Sequence, residues 1–286
     1  MIITRISGGL GNQMFQYAIA KTMAKNNSDI FKVDLSFYLK QTLRKYELNL
    51  FNINENIATE YEVRRYRGKE DFIFKIKTKL KLHISRPSFY ILEKKLTLFD
   101  REIYAKNDHI YLDGFWQNEK YFMDMRDEII QDFTLKNTIS KDAKVYLAVI
   151  EQINSVSLHV RRGDYVEDSH TNHTHGTCNL DYYKNAINYI SSKIEKPKFY
   201  IFSDDIAWCK ENFDFLENKT FVDNTKNALD DLELMKQCKH NIIANSTFSW
   251  WGAWLNLNTN KIVITPKIWF TSNPNLHLAS EEWIKI

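Results

Sequence analysis

The second half of this chain alternates strictly between short apolar runs and segments whose apolar residues recur at helical spacing. The apolar runs cover residues 155–160, 198–202, 220–222, 241–244 and 261–265, and the helical segments cover 181–195, 206–212, 227–240 and 248–257. Short strands that alternate with helices are typical of a parallel sheet covered on both faces by helices. The pattern therefore predicts an α/β fold with a doubly wound parallel sheet from residue 154 onward.

The chain opens with an apolar strand at residues 2–6, a glycine turn and a helix at 14–26. This order suggests a dinucleotide-binding turn, but Met14 stands where that fingerprint needs a small residue for close helix packing. Nicotinamide binding is therefore not predicted. A glycine turn at a helix N-terminus is also suited to anions, and a tight turn without a ligand remains the alternative.

The chain length of 286 residues exceeds the usual domain size of about 100–200 residues, so we expect two domains. The change of pattern places them at 1–153 and 154–286. The first half also contains predicted strands at 30–35 and 110–113 and predicted helices at 119–133 and 144–153. Residues 74–84 fit a strand and a helix equally well.

The charge of the chain is distributed unevenly. The net charge of +3 is too small to indicate a nucleic-acid partner, yet residues 64–95 hold eleven lysines and arginines against three acidic residues. This basic segment is either a solvated face or a surface directed at anionic lipid.

The three cysteines, Cys178, Cys209 and Cys238, are an odd number and stand far apart, which suits neither a disulfide framework nor a zinc knuckle. We therefore expect a reducing, cytoplasmic location. The first residues do not have the pattern of a secretion signal, and no apolar run approaches the length of about 18 residues that a membrane helix needs.

Loops that follow parallel strands share one edge of a sheet, where open α/β folds bind ligands. The first such loop contains Arg161, Arg162, Gly163 and Asp164. The planar fork of arginine matches phosphate in two-point fashion, and glycine lets a ligand approach the backbone closely. The alternative is that the arginines are solvated turn residues paired with Asp164.

A second loop, residues 245–249, follows a strand and opens a helix. Its hydroxyl groups are able to cap the first turn while backbone N–H groups point at an anion. A plain helix cap without a ligand is the alternative for this loop considered alone. Two phosphate-suited loops on one sheet edge favour the anion site.

Metal binding is not predicted. His170, His173 and His175 lie close together, but no carboxylate or cysteine accompanies them at ligand spacing, so we expect a polar loop. The sequence has no Asp-x-Asp, the usual carboxylate site for a magnesium- or manganese-bound diphosphate. Arginines would then hold a leaving diphosphate.

Four segments together closely resemble the motifs of the bacterial α-1,2-fucosyltransferases, glycosyltransferase family 11. They are GGLGNQMFQYA at 8–18, HVRRGDY at 159–165, FSDD at 202–205 and NSTFSWWGAW at 245–254. Asp164-Tyr165 and residues 175–178 further resemble members that build O-antigen repeat units. Residues 36–107 match no motif and are candidates for shaping the acceptor site.

The resemblance implies a GT-B-like fold, in which two Rossmann-like domains face a cleft that holds the acceptor sugar. It implies inverting transfer of L-fucose from GDP-β-L-fucose to the 2-hydroxyl of galactose, without a metal cofactor. The expected acceptor is a galactose-terminated, lipid-linked glycan, and peripheral contact with the inner face of the membrane is a hypothesis. Another linkage or acceptor, or a nucleotide-sugar binding module without turnover, remains open.

The resemblance also assigns roles to individual residues. Arg161 is the main diphosphate ligand, supported by His159 and Arg162. Gly11 and Asn12 approach the donor from the first domain, and Asp231 is matched to a carboxylate that reads guanine. The phosphate loop consists of Asn245, Ser246, Thr247, Phe248 and Ser249.

Transfer also requires a base for the acceptor hydroxyl, and Asp164 is the first candidate because it adjoins the phosphate ligands. Glu167 and Asp168 are the alternatives, and a purely structural role for Asp164 remains open. The tryptophans Trp116, Trp250, Trp251, Trp254 and Trp269 are able to stack on a sugar, but the helical spacing of Trp250–Trp254 favours a core position.

Overall fold

The computed structural model describes residues 1–39, 43–70, 72–80, 82, 84–106 and 109–286; side chains 72, 73, 75, 164, 167 and 169–171 lie outside this description. The chain divides into two compact units, Met1–Lys136 and Asn137–Ile286. The boundary was predicted after residue 153, whereas the observed units divide after Lys136. The helix Lys141–Ile150 therefore belongs to the second unit. Its Ala143 and Ile150 pack against Tyr200 and Phe202 of the second sheet. Periodicity identified a buried face on this helix but could not say which sheet buries it.

The first unit contains a four-stranded parallel sheet in the order β2-β1-β4-β3. Its strands are β1 (Ile2–Arg5), β2 (Phe31–Asp34), β3 (Tyr90–Leu92) and β4 (Ile110–Asp113). Its helices are α1 (Leu10–Asn26), α2 (Glu60–Arg67), α3 (Phe72–Lys79), α4 (Arg101–Tyr104) and α5 (Arg126–Asp132), with 3-10 turns at Leu48–Leu50, Glu119–Tyr121 and Met123–Met125. The register pairs Arg5 with Asp34, so polar residues collect at the carboxyl ends of the strands.

Two predictions for the first unit needed tertiary information. Within the ambiguous segment at 74–84, residues 74–79 belong to the helix α3, and the described residues after Lys79 are not helical. The single helix predicted at 119–133 is wrong, because two 3-10 turns precede α5. Adjacent Tyr121 and Phe122 are both buried, and Phe122 adopts a φ of −144°, which lies outside the helical region.

The second unit contains six parallel strands in the order β10-β9-β8-β5-β6-β7. The strands are β5 (Ser155–Val160), β6 (Lys198–Ser203), β7 (Lys219–Phe221), β8 (His240–Ile242), β9 (Val263–Thr265) and β10 (Ile284–Lys285). The helices are α6 (Lys141–Ile150), α7 (Gly163–Glu167), α8 (Ser169–His175), α9 (Leu180–Lys193), α10 (Ile206–Asn212), α11 (Ala228–Gln237) and α12 (Thr247–Trp254). The two-residue edge strand β10 was not predicted.

The sheet of the second unit is covered on both faces, which confirms the doubly wound prediction. Phe199 and Ile201 of β6 share one apolar cluster with Tyr183 of α9, whereas Tyr200 and Phe202 share another with Leu234 of α11. Consecutive side chains of a strand point to opposite faces, so both faces must be buried.

Trp250, Trp251 and Trp254 of α12 are buried, as their helical spacing predicted, and Trp116 and Trp269 are buried as well. They fill core space and leave no ring face for a sugar. Within the described part of the chain, no helix has the length and apolar character to cross a membrane.

Candidate active site

The site lies where the order of strands reverses in the second sheet. From the central strand β5 the chain builds β6 and β7 on one side and then returns to build β8, β9 and β10 on the other. Ligands of open α/β sheets bind outside the carboxyl ends of the strands at such a reversal. The two loops that meet there follow β5 and β8, and they contain Arg161 and the residues from Asn245 to Ser249.

Arg161 is held in a defined direction by two neighbours. Its Nη1 lies 2.7 Å from Oδ2 of Asp204, and its guanidinium lies 5.3 Å from the centre of the Tyr165 ring. The side chain remains 22% exposed. A fixed, partly exposed guanidinium is the group that a diphosphate requires, since little reorganisation is needed when the anion arrives.

Arg162 is part of the scaffold beneath Arg161. Its Nε lies 3.1 Å from Oδ2 of Asp205, and its guanidinium lies 4.0 Å from the centre of the Trp208 ring. Its backbone N–H donates to Oδ1 of Asp204 at 2.9 Å. The described carboxylate partners of the two arginines are therefore Asp204 and Asp205. Support of nucleotide binding by Arg162 stays a prediction.

Gly163 is required by a neighbouring side chain. A Cβ at this position would lie 2.5 Å from Oδ2 of Asp204, well inside van der Waals contact. The glycine was predicted to allow close approach of a ligand, but the group that approaches it in the structure is the carboxylate that holds Arg161. Gly163 and Asp204 thus act together in orienting Arg161.

His159 lies in β5 and is buried, with its ring 5.9 Å from that of Phe248. Burial, followed by the nearby charge of Arg161, lowers the pKa of His159 to about 3. Its Nδ1 has no hydrogen-bond partner among the described residues. The imidazole is therefore neutral at physiological pH and offers hydrogen bonding to a ligand, but no second positive charge.

The helix α12 begins at the same sheet edge as Arg161. Ser246 is its N-cap residue, and no side-chain hydrogen bond caps the helix. Ser249 donates instead from Oγ to the carbonyl of Ser246 at 3.3 Å. The plain-cap alternative does not hold for Ser246, and the positive end of the helix dipole is directed at the edge. Phosphate binding by Thr247, Phe248 and Ser249 stays a prediction.

Asn245 has a structural role that the sequence analysis did not anticipate. Its Nδ2 lies within hydrogen-bonding distance of the carbonyls of His175, Gly176 and Trp269, at 2.9, 3.1 and 3.3 Å. The side-chain amide is thus committed to protein partners. Asn245 fixes the start of the phosphate loop. Its predicted contact with the donor would therefore be made by its backbone atoms and not by its side chain.

The predicted histidine loop is wrong, because residues 169–175 form the helix α8. The His175 ring stacks on Tyr165 with centroids 4.9 Å apart, so this helix supports the aromatic ring beside Arg161. The His170 side chain lies outside the described residues. Among those described, no group of three metal-ligating side chains is assembled.

The candidate base, Asp164, and the candidate guanine ligand, Asp231, lie in different helices of the second unit. Asp164 lies in α7, and its side chain, like that of Glu167, is outside the described part of the chain. Asp231 lies in α11 and accepts a hydrogen bond from Oγ1 of Thr225 at 2.6 Å. Burial raises the pKa of Asp231 to about 6, which makes it a carboxylate of unusual basicity. Neither predicted role is tested by these contacts.

The glycine turn of the first unit is built by internal hydrogen bonds. Gly8 has a φ of +77°, and a Cβ there would lie 2.6 Å from Nδ2 of Asn12. Oδ1 of Asn12 accepts a hydrogen bond from Nε2 of Gln117 at 2.9 Å. A Cβ on Gly9, the N-cap of α1, would meet no heavy atom within 4 Å. The turn therefore presents an open backbone at a helix N-terminus that contains Gly11 and Asn12.

A model of the family described as "Glycosyl transferase family 11" matches residues 1–286. The chain belongs to glycosyltransferase family 11. It is 35% identical to an O-antigen biosynthesis glycosyltransferase, WbnK, of Escherichia coli, over 98% of this chain and 99% of that protein. It is also 35% identical to an alpha-1,2-colitosyltransferase of Escherichia coli, over 100% of this chain and 99% of that protein.

The family 11 chain has a GT-B-like fold. It resembles the crystal structure of POFUT1 in complex with GDP-fucose with a TM-score of 0.54, over 91% of this chain and 95% of that one. The sequence identity is 12%, so this similarity concerns the fold. The predicted α/β class, with a parallel sheet in each unit, is confirmed.

Several residues that shape the site of this family 11 protein were missed by the sequence analysis. Asp204 was quoted within a motif but received no role, although it holds Arg161 and Arg162. Gln13 and Gln16 are buried and bond to the carbonyls of Gly8 and Gly114 at 3.1 and 2.9 Å. The available signal was two glutamines placed among apolar residues in the first half of α1, because buried amides must find partners.

Proposed function

We propose that this protein transfers L-fucose from GDP-β-L-fucose, with inversion, to the 2-hydroxyl of a galactose residue in a surface glycan of the O-antigen type. The supporting observation is the match to family 11 over the whole chain, together with 35% identity to an O-antigen glycosyltransferase across nearly the full length of both proteins. Because an alpha-1,2-colitosyltransferase is equally similar, GDP-colitose is the second candidate donor.

Departure of the diphosphate is the step that Arg161 would assist. Breaking the bond between fucose and phosphate leaves a charged diphosphate and an oxocarbenium-like sugar. Arg161, oriented by Asp204 at 2.7 Å, and the uncapped N-terminus of α12 direct positive charge and dipole to one sheet edge. Such prearranged electrostatics are usually the largest single term in catalysis. Neutral His159 would contribute a hydrogen bond.

The acceptor hydroxyl must lose its proton as it attacks the anomeric carbon, and we assign this task to Asp164. The Asp164→Asn variant retains the shape but loses the basicity. We expect kcat to fall by about 10²–10⁴ with little change in GDP affinity. Near-normal kcat would move the role to Glu167 or Asp168, or to the departing phosphate.

Metal independence is part of the proposal, because the chain has no Asp-x-Asp and the described residues assemble no metal-ligand cluster. Arg161 and the N-terminus of α12 would then stabilise the diphosphate without a divalent cation. We expect transfer to survive exhaustive chelation with EDTA. A loss that manganese or magnesium reverses would contradict this part of the proposal.

We further propose that the protein acts in the cytoplasm and touches the inner face of the membrane, where a lipid-linked acceptor would be held. Ile76, Leu80 and Leu82 are exposed beside the lysines Lys77 and Lys79. Each cation near an anionic membrane contributes about 1 kcal/mol. The protein should float with anionic liposomes at low salt, and the Lys77→Glu/Lys79→Glu variant should not. If the original protein does not float, the basic segment is a solvated face.

The decisive experiment for the activity is a screen of both donors, GDP-fucose and GDP-colitose, against galactosides with different aglycones. We expect a new α-1,2 linkage on galactose, identified by linkage analysis of the product. Release of sugar from the donor without any glycosylated product would contradict transfer. Binding of GDP-fucose without turnover would identify a nucleotide-sugar binding module.

A further inference from the structure

The segment that follows β4, residues 114–118, contacts the glycine turn of the first unit through two amide groups. The carbonyl of Gly114 accepts a hydrogen bond from Nε2 of Gln16 in α1 at 2.9 Å. Three residues further on, Nε2 of Gln117 donates to Oδ1 of Asn12 at 2.9 Å. The partners lie 98 and 105 residues apart along the chain, and both contacts are made with α1. The fold therefore brings Gln117 to the residue that was predicted to approach the donor.

The backbone of this segment is strained at Trp116. This residue has a φ of +57° and is fully buried. A positive φ is a genuine outlier for a bulky side chain, and it persists only where the surrounding contacts enforce it. Those contacts are a hydrogen bond from the backbone N–H of Phe115 to Glu93 at 2.7 Å and one from the N–H of Asn118 to the Trp116 carbonyl at 2.8 Å. Such strain is concentrated at functional sites, which indicates more than a packing role for the segment.

The direction of the hydrogen bond between Gln117 and Asn12 decides which group Asn12 offers to a ligand. An amide nitrogen only donates, so the oxygen of Asn12 faces Gln117 and its nitrogen, Nδ2, is turned to the other side. That side is the glycine turn, because a Cβ on Gly8 would lie 2.6 Å from Nδ2 of Asn12. Asn12 thus presents an N–H donor at a helix N-terminus, where oxygens of a phosphate or a sugar are suitable acceptors.

The backbone of the turn is held independently of Gln117. Oε1 of Gln16 accepts from the backbone N–H of Ser7 at 2.9 Å, and Nε2 of Gln13 donates to the carbonyl of Gly8 at 3.1 Å. Gln117 itself is 8% exposed, and a buried amide must find its partners within the protein. A substitution of Gln117 should therefore release the Asn12 side chain without dismantling the turn.

From these contacts we infer that Gln117 is a positioning residue for the donor substrate. It holds the Asn12 amide so that its N–H group is directed at an oxygen of the nucleotide sugar. The identity of this ligand rests on the proposed function, whereas the orientation of Asn12 rests on its contacts with Gln117 and the turn. The oxygen belongs either to the diphosphate or to the sugar.

The first test changes the hydrogen-bonding character of residue 117 and keeps its size. A glutamate at this position only accepts, so in Gln117→Glu the Asn12 amide must rotate and present its oxygen to the ligand. The KM for GDP-fucose should rise by about tenfold to a hundredfold. Gln117→Met removes the hydrogen bond without adding charge, and it should raise this KM by about threefold to tenfold.

Asn118→Asp is the matched control, because it makes the same change from amide to carboxylate one residue along the chain. Nδ2 of Asn118 donates to the carbonyl of Thr97 at 2.8 Å, so this variant should lower Tm without altering the KM for GDP-fucose. A merely structural Gln117 would likewise change Tm alone. An unaltered donor KM in Gln117→Glu, or an equal rise in Asn118→Asp, would overturn the inference.

Calorimetric titration with GDP and with GDP-fucose distinguishes the two possible oxygens. Weaker binding of both ligands by Gln117→Glu would place the Asn12 contact on the diphosphate. Weaker binding of GDP-fucose alone would place it on the sugar. Both results support the inference, whereas unchanged dissociation constants for both ligands would contradict it.

A double-mutant cycle in urea unfolding separates this inference from the proposed function. The effects of Asn12→Ala and Gln117→Met on the unfolding equilibrium constant should deviate from independence by about fivefold. Independent effects would overturn the inference even if the protein transfers fucose. If the two positions are coupled but the original protein binds neither GDP-fucose nor GDP-colitose, the proposed function fails and the orientation of Asn12 by Gln117 stands.

Discussion

The packing of Gly163 against Asp204 leads to a quantitative prediction about how Arg161 is held. The Asp204 carboxylate accepts two hydrogen bonds, from Nη1 of Arg161 at 2.7 Å and from the backbone N–H of Arg162 at 2.9 Å. Hydrogen bonds to charged groups contribute about 1.5–3 kcal/mol each. Because the Arg161 and Asp204 side chains are 22% and 27% exposed, we take the lower end, about 2–3 kcal/mol for the two together.

In the Gly163→Ala variant the new Cβ would lie 2.5 Å from Oδ2 and 3.1 Å from Cγ of Asp204. The carboxylate must move by about 1 Å to reach ordinary contact distance, which breaks both hydrogen bonds. Alanine itself favours this first helical position by up to about 1 kcal/mol over glycine. We therefore expect a net loss of about 1–2 kcal/mol in the free energy of unfolding.

The same substitution should be harmless once the carboxylate is absent. In an Asp204→Ala background only the Cβ of residue 204 remains, 3.7 Å from the new methyl group, which is ordinary contact. Gly163→Ala should then be neutral or slightly stabilising, giving a coupling free energy of about 2 kcal/mol between the two positions. Each of the two single substitutions should also lower the rate of transfer, because Arg161 loses its orientation.

Urea unfolding of the original protein, the two single variants and the double variant measures this coupling directly. The second unit should show the effect as a decrease of about 2–8 °C in Tm for Gly163→Ala alone. Effects that add within about 0.5 kcal/mol would refute the reasoning, because independent sites behave in that way. Loss of stability without loss of transfer would show that Asp204 does not orient Arg161 for catalysis.

Three further predictions concern charge. Arg161→Ala should lower the rate of transfer by about 10² or more, and Arg161→Lys should not restore it, because a point charge does not replace a two-point fork; near-normal kcat in either variant with unchanged Tm would contradict the role. The pKa of His159 is lowered from 6.5 to about 3, so as pH decreases the unfolded chain takes up a proton on this histidine before the folded protein does. The free energy of unfolding should therefore fall as pH decreases below about 6.5. A His159→Gln variant, measured by urea unfolding, should show a weaker pH dependence. The pKa of Asp231 is raised from 3.8 to about 6, so the protonated carboxyl favours the folded state and this contribution to stability is lost as pH rises through about 6. Asp231→Asn should remove that decline in the free energy of unfolding and should raise the KM for GDP-fucose. An unchanged pH profile of stability would contradict the assignment.

The sequence alone determined the architecture of the second unit. Apolar runs that alternate with amphipathic segments have to be buried on both faces, and a parallel sheet between two helical layers is the arrangement that achieves this. β5 and α10 begin and end at the predicted residues, 155–160 and 206–212. The same argument predicted which edge of the sheet holds the site, because the carboxyl ends of all strands in a parallel sheet lie at one edge. Family membership followed from the motifs at that edge and at the glycine turn.

The sequence did not determine which elements and charges meet. Helix α6 belongs to the second unit because its buried face fits β6, and periodicity describes a face without naming its partner. The helix predicted at 119–133 is interrupted because adjacent Tyr121 and Phe122 are both drawn into the core. Local spacing is a weak constraint when tertiary packing can bury more apolar surface by breaking it.

The partners of Arg161 and Arg162 depended entirely on tertiary structure. The register of β5 and β6 places Val160 beside Ser203, which brings the next residues of the two loops together and allows Asp204 to reach Arg161 across Gly163. A shift of register by one residue would exchange the faces of every side chain and separate these groups. The sequence fixes the types of the residues at this edge, whereas their pairing is set by hydrogen bonds between strands that lie 38 or more residues apart along the chain.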